Sequence, residues 1–482
     1  MQPTPEQQAA LDAFRAGGDM VLTAGAGSGK TTTLKMLANA KPTAQGIYVA
    51  YNKAIADDAK RSFPRNVRCG TAHSFAYRAV AGAFEERLRN GRRVPSWEAA
   101  KILGIRQALS IDDKLFQPKT LAGLAVETVK RFCFSADPVI TTRHVPCPQS
   151  LPREKHPVLA AEILPWARKA WDDLTRPDGA LKMTHDVYLK LWQLSDPKLE
   201  VDFILLDEAQ DAYPAMAAVF ERQTHAQRVM VGDACQAIYG WRGAVDAMSK
   251  FTADHRLTLS QSFRFGPAIA EQANRWLDLL DADLRITGSP WIPSRVGKLQ
   301  ISKGELPDAV LCRTNAKAVE TLMYWHKHGV PAALVGGGAE IQRMARAAEE
   351  LKERGQTDHP ELCGFTSWGQ VQDYVREDAG QDLAVFVKLI DEYGPDVVIE
   401  AVEKASPEDK ARVVISTAHK AKGREWETVR IASDFERDCD VEDLDRSELM
   451  LAYVAVTRAK LVLDPTGFDW VDQNAARQLA HV

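Results

Sequence analysis

Eight consecutive residues, Ala24-Gly25-Ala26-Gly27-Ser28-Gly29-Lys30-Thr31, combine three glycines with a lysine and a hydroxyl where the apolar run Met20-Val-Leu-Thr gives way to the helix-like Thr32-Thr-Leu-Lys-Met-Leu. Glycines let successive backbone N–H groups turn inward around an anion, and a helix starting at that point adds its partial positive end. Lys30 is then placed to bridge two phosphates, and Thr31 to offer its hydroxyl to Mg²⁺. Residues 24 to 32, ending at Thr32, are the expected cradle, with Ala24 where the strict pattern has glycine.

A second constellation, Phe203-Ile-Leu-Leu-Asp207-Glu208-Ala-Gln210-Asp211, sets two acids at the end of an apolar strand, where ligands of α/β sheets gather. Asp207 is expected to hold Mg²⁺ and Glu208 to orient an attacking water. An Asp-Glu pair alone is more often a solvated strand end; four apolar residues leading into it and the upstream loop favour chemistry. Together the two segments imply a P-loop nucleoside triphosphatase and nothing narrower.

The narrowing comes from Val231-Gly-Asp233-Ala-Cys-Gln236-Ala-Ile-Tyr239-Gly-Trp241-Arg242-Gly243-Ala244, which resembles motif III of Rep/UvrD-type superfamily-1 helicases. The resemblance implies that Gln236 senses the γ-phosphate, that Trp241 stacks on a DNA base with Tyr239 beside it, and that Arg242 links the two sites. An aromatic face suits any base, and an amide can exchange partners when a phosphate leaves.

The same resemblance extends along nearly the whole chain. Thr4-Pro-Glu-Gln7-Gln8 looks like the Q motif, with Gln7 toward the adenine edge. Tyr51-Asn52-Lys53-Ala54 and Thr71-Ala-His73-Ser74 are similar to segments that contact DNA. Leu259-Ser-Gln-Ser-Phe263-Arg264 resembles motif IV, which implies Phe263 on the adenine and Arg264 on the γ-phosphate. Thr417-Ala-His419-Lys420-Ala-Lys422-Gly423-Arg-Glu425-Trp426 resembles motif V, with Glu425 toward the ribose and Thr417 and His419 toward DNA. Glu448-Leu-Met-Leu-Ala-Tyr453-Val-Ala-Val-Thr457-Arg458-Ala459 resembles motif VI, whose arginine is a second finger on ATP. Lys30, Asp207, Glu208, Gln236, Arg264 and Arg458 are therefore the expected catalytic set.

Several spellings, among them Tyr51-Asn-Lys-Ala-Ile-Ala and Gln261-Ser-Phe-Arg-Phe-Gly, look more like the F-box DNA helicase branch than like Rep or UvrD. With the Q motif starting at residue 4, no F-box region is expected ahead of it. The pattern departs at Ala50 and Ala72, where relatives carry aromatics. It departs again at the acidic 433–445, where relatives carry a strand-separating pin and Phe435 is the sole aromatic.

Positioning these residues requires α/β units. Met20-Val-Leu-Thr, Ile47-Tyr-Val-Ala, Phe203-Ile-Leu-Leu and Arg228-Val-Met-Val predict one parallel sheet. Ala309-Val-Leu-Cys, Ala333-Leu-Val, Arg412-Val-Val-Ile-Ser and Val429-Arg-Ile-Ala predict another. The fold class expected is α/β: two RecA-like P-loop lobes with parallel sheets, a helical insertion in the first and a reduced insertion in the second. The boundaries expected are 1–84 and 200–260 for lobe 1A around insertion 1B at 85–199. Lobe 2A is expected at 261–340 and 411–482 around the reduced insertion 2B at 341–410.

The 482 residues suffice for two cores plus insertions, and 45% hydrophobic with 26% charged residues is a globular balance. A net charge of −4 leaves room only for a local basic groove as a nucleic-acid footprint. The seven scattered cysteines form no C-x-x-C pair, so neither a disulfide framework nor a zinc or iron–sulfur site is indicated, and a reducing cytoplasm is expected. No signal peptide or membrane span is legible.

The function expected is an ATP-dependent DNA helicase or translocase moving 3′ to 5′ on single-stranded DNA, in repair, recombination or replication, with ATP and Mg²⁺. Expected partners are single-stranded DNA, single-strand/double-strand junctions and a loading protein; the expected location is the cytoplasm, at the nucleoid. Competing readings are a translocase that strips proteins or remodels recombination intermediates with weak unwinding, a non-catalytic DNA-binding module, and a P-loop ATPase acting on no nucleic acid.

Overall fold

A computed structural model describes residues 2–471 apart from 93, 113, 149–150, 239–246, 360, 363–364, 377–380 and 438. By its contacts the chain falls into two units, one of residues 1–24 with 29–259, the other of Gly25–Ser28 with 260–482.

The first unit is built on six parallel strands: β1 (Met20–Ala24), β2 (Gly46–Ala50), β3 (Val67–Thr71), β6 (Phe203–Leu206), β7 (Gln227–Gly232) and β8 (His255–Leu259), with β4 and β5 set apart below. Their spatial order is β3-β2-β6-β7-β1-β8. Every residue of β6 is buried, because helices cover both faces and successive side chains go to opposite cores. Phe203 and Leu205 join Phe14, Leu34 and Val231 on one face. Ile204 and Leu206 join Val21, Val49 and Met230 on the other. A core fed by alternate residues of a single strand explains why the central strands read as unbroken apolar runs.

Between β3 and β6 the chain is mainly helical, as its periodicity predicts, and its apolar residues form one core with the second face of the sheet. It also contains two short antiparallel strands, β4 (Leu109–Ile111) and β5 (Lys114–Phe116), where the sequence suggested helices alone. Only three residues long each, they lack the alternation that would reveal a strand.

This region has a polar heart. Lys190 is fully buried, donates to the carbonyls of Ser135 and Asp137 and to Gln193 Oε1 at 2.6–2.8 Å, and lies over the Phe132 ring. An ammonium has three protons and here meets three acceptors. Lys190→Met keeps the volume but orphans those acceptors, at a cost of about 3 kcal/mol. The expected result is a lower melting temperature with faster amide exchange in residues 135–144; an unchanged exchange pattern would show that Lys190 does not hold that loop.

The second unit repeats the plan with β9 (Arg295–Val296), β10 (Ala309–Cys312), β11 (Ala332–Leu334), β12 (Val413–Thr417), β13 (Trp426–Ile431) and β14 (Ala459–Asp464). All are parallel, in the order β11-β12-β10-β13-β14-β9. Gly336 and Gly337 turn the chain with left-handed φ of 76° and 64° into the helix Ala339–Arg354. That helix and the three that follow, Trp368–Arg376, Gln381–Tyr393 and Pro395–Glu403, bury their apolar residues against Val310, Leu334, Val413 and Ile415. The helical reading of 341–410 therefore describes helices lying on one face of this sheet.

Candidate functional site

In the first unit the chemistry gathers at the C-terminal rim of the sheet. β7 lies between β1 and β6, so Lys30 in the helix that follows β1, the acids after β6 and Asp233 after β7 stand at neighbouring strand ends. Gly29 caps the helix Lys30–Ala40 with φ 76° and no side-chain hydrogen bond, which leaves the first-turn amides facing the loop. Gly27 also has a left-handed φ, 74°, and a Cβ there would fall 2.6 Å from Ser262 Oγ and from Arg264 Cβ of its own unit. Ser28 Oγ is buried and has no hydrogen-bond partner among the described residues.

Lys30 Nζ lies 3.2 Å from Glu208 Oε1. Burial pulls the Lys30 ammonium down, but the carboxylates of Glu208, Asp233 and Asp207 together outweigh it and hold the group above its ordinary value. Asp207 is displaced upward, first by burial and then by repulsion from Glu208, with the Tyr48 hydrogen bond and Lys30 working the other way. Its Oδ2 accepts from Tyr48 Oη at 2.6 Å and its Oδ1 from the Glu208 N–H at 2.9 Å. Burial and the Asp207 charge raise the Tyr48 phenol far above its ordinary value, so it stays a donor.

Gln210, fully buried, ties the acids to the next strand: its Nε2 donates to Glu208 Oε2 at 2.6 Å and its Oε1 accepts from Asp233 N at 3.0 Å. Gln236 Nε2 donates to Asp233 Oδ2 at 2.6 Å, so the expected phosphate sensor is held by an acid of the same rim. Gln7, the expected adenine reader, closes the capping box of the helix Pro5–Ala16 with Thr4 and donates to Thr33 Oγ1 at 3.1 Å. Its amide oxygen is thus committed to its own helix.

Asp207, at the end of β6, and Thr31, in the first turn of the helix Lys30–Ala40, are the two oxygen donors expected at Mg²⁺. No group of three or more His, Cys, Asp or Glu able to cage a metal occurs among the described residues. Mg²⁺ takes one or two carboxylates and completes its shell with substrate phosphates and water.

The residues expected at DNA share a local design. Asn52 caps the helix Lys53–Ser62 through Ile55 N, Thr71 caps Ala72–Val80 through Ser74 N, and Thr417 caps Ala418–Ala421 through Lys420 N. Each stands at or just past the C-terminal end of a parallel strand, which turns a helix N-terminus toward the rim, an arrangement suited to backbone phosphate. Tyr51 and Lys53 are exposed, and His73 Nε2 pairs with Asp186 Oδ1 at 3.2 Å. His419 is half-buried. Tyr239 and Trp241 lie outside the described residues.

In the second unit Arg264 Nε donates to Glu425 Oε2 at 2.7 Å and its Nη1 to the Thr457 carbonyl at 2.9 Å. Arg458, 2% exposed, donates to the Val454 carbonyl and to Thr457 Oγ1, both at 2.9 Å. The structure so brings three expected nucleotide residues into one network, linked through Thr457, which sequence reasoning had not singled out. Phe263 leaves its ring 45% exposed, free to stack. Phe435 is 5% exposed and packs edge-on against Phe468 at 5.1 Å, so the one aromatic of the acidic segment is a core residue and not a pin.

Comparison with known proteins agrees in outline. Residues 7–242 match the model of an AAA domain, and residues 339–464 match that of the UvrD-like helicase C-terminal domain. The chain is 30% identical to the F-box DNA helicase protein 1 of Schizosaccharomyces pombe, over 92% of its own length and 55% of the relative. It is 29% identical to the F-box DNA helicase 1 of Gallus gallus, over 95% and 48%. A shorter match, 29% over 30% of the chain, is to the RecBCD enzyme subunit RecB of Mycobacterium tuberculosis, of which it covers 15%. The chain spans about half the length of the two F-box helicases.

Proposed function

The chain belongs to the UvrD-like superfamily-1 helicases, related to their F-box DNA helicase branch, and on that premise we propose that it is an ATP-driven motor on DNA. The observation that carries this reading is the rim where Lys30, Asp207, Glu208 and Gln236 converge through hydrogen bonds and ion pairs around an uncapped helix start.

A triphosphate entering the loop competes with Glu208 for the Lys30 ammonium. Displacement of that ion pair releases one oxygen of Glu208 to orient water, while Gln210 keeps the carboxylate in place through the other. Mg²⁺ bound by Thr31 and Asp207 would neutralise phosphate charge. Gln236, held by Asp233, is the group whose partner changes when the γ-phosphate leaves. Arg264 and Arg458 are the guanidiniums that answer charge on the transferred phosphoryl group, with Phe263 stacking on the base, Gln7 on its edge and Glu425 on the ribose.

Single-stranded DNA is proposed to run over the capped helix starts at Asn52, Thr71 and Thr417 and to stack on Trp241, with Tyr51, Lys53, His73, Tyr239 and His419 beside it. The stretches 85–199 and 341–410 are taken as the insertions 1B and 2B of the two lobes. Movement 3′ to 5′, recognition of junctions, a loading partner and a role in repair, recombination or replication follow from the family resemblance. No helix among the described residues is long and apolar enough to cross a membrane; work at the nucleoid follows from the proposed action on DNA.

The burial of Phe435 favours a second reading of the output: translocation that strips proteins or remodels recombination intermediates, with weak strand separation. One assay tests both. ATP consumption is measured with and without single-stranded DNA, beside displacement of strands carrying 3′ or 5′ tails. DNA-stimulated hydrolysis with displacement from 3′ tails only is expected; stimulation without displacement would select the remodelling reading, and no stimulation would remove DNA from the function.

A further inference from the structure

We infer that Tyr48 is a positioning residue for the metal-binding carboxylate, fixing Asp207 so that Mg²⁺ meets a ligand already oriented; this rests on the proposed ATPase function.

Strand β2 holds Asp207 twice. Its backbone receives Asp207 N–H at the Val49 carbonyl, 3.1 Å, and the side chain of Tyr48, the residue before, reaches Asp207 Oδ2 at 2.6 Å. With Oδ1 taking the Glu208 N–H, each carboxylate oxygen has one donor. Rotation about the Cβ–Cγ bond would break both bonds, so the plane of the carboxylate is set and one lone-pair direction on each oxygen remains for a cation. Tyr48 itself is immobile: it is fully buried, and its ring lies 4.5 Å from that of Phe63.

The charge balance makes the restraint consequential. Asp207 stands beside Glu208 in a buried site, and repulsion between the two acids favours turning Asp207 away. Lys30 offsets this only in part, because its nearest oxygen belongs to Glu208. The Tyr48 hydroxyl is a neutral donor, so it holds the carboxylate without cancelling the negative charge that attracts the metal. Outer groups of this kind typically contribute about 10- to 100-fold in metal affinity.

The test is Tyr48→Phe, which keeps the ring against Phe63 and removes one oxygen. Mn²⁺ binding in the presence of a non-hydrolysable ATP analogue is followed by electron paramagnetic resonance, and binding of the same analogue in EDTA is measured alongside. Mn²⁺ affinity is expected to fall about tenfold, the Mg²⁺ needed for half-maximal ATPase to rise in step, and metal-free nucleotide binding to stay at the wild-type value. Equal Mn²⁺ affinities in the two proteins would overturn the inference, as would a matching loss of metal-free binding, which marks a packing residue. A wild-type chain that binds the analogue neither with nor without divalent metal would instead overturn the functional reading beneath it.

Discussion

Lys30→Ala should abolish ATP turnover, lowering kcat by about 10³ or more, while most affinity for single-stranded DNA survives. The ammonium lies 3.2 Å from Glu208 and is the cation that Asp207 and Asp233 also act upon, so its loss leaves three acids facing an incoming polyanion. Repulsion would then oppose nucleotide binding as well as its hydrolysis. The residues proposed for DNA cap separate helices after β2, β3 and β12, and none relies on Lys30 for its hydrogen bonds. Phosphate release and fluorescence anisotropy on labelled oligonucleotide measure the two properties. Loss of both in equal degree would contradict this division.

Arg458→Lys is expected to lower kcat by about 10³ with a much smaller change in the KM for ATP. The substitution keeps the charge and most of the volume but not the fork. Arg458 directs Nε to the Val454 carbonyl and a terminal nitrogen to Thr457 Oγ1, a two-nitrogen planar geometry that a single ammonium nitrogen on a flexible stem does not reproduce. Because Thr457 also receives Arg264 at its carbonyl, the change should loosen the neighbouring Arg264–Glu425 pair as well. Steady-state kinetics with and without DNA would decide; a kcat within the wild-type range would remove Arg458 from the catalytic set.

Much of the fold was legible because central parallel strands are buried on both sides. All eight runs predicted as strands are strands, and each is apolar enough to stand out unaided. Besides β4 and β5, the strands that escaped notice are β3, β8, β9 and β14, which are short, glycine-bearing or interrupted by charge, as in His255-Arg-Leu-Thr-Leu and Val67-Arg-Cys-Gly-Thr. β3, β8 and β9 lie at the edges of the six-stranded sheets, where one side of the ladder has no neighbour and burial no longer imposes a pattern.

Within the candidate site, the loop and the acids could be read because backbone geometry and charge dictate residue type there. The partners that fix them could not. Tyr48 looks like another apolar residue of β2 until strand order places it beside β6, and Gln210 becomes a link only when β7 is known to lie next to the acids. Asn52, Thr71 and Thr417 carry a local signal, a capping residue ahead of a helix, that sequence reasoning passed over in favour of the motifs containing them.

The second sheet places Glu425 and Arg458 just ahead of β13 and β14, and Thr417 at the far end of β12. About five residues of strand, roughly 17 Å, separate those two margins. Neighbouring strands in a hydrogen-bonded ladder cannot slip lengthwise without exchanging partners all along the seam, so on the proposed motor reading the sheet would act as a pushrod between its two margins.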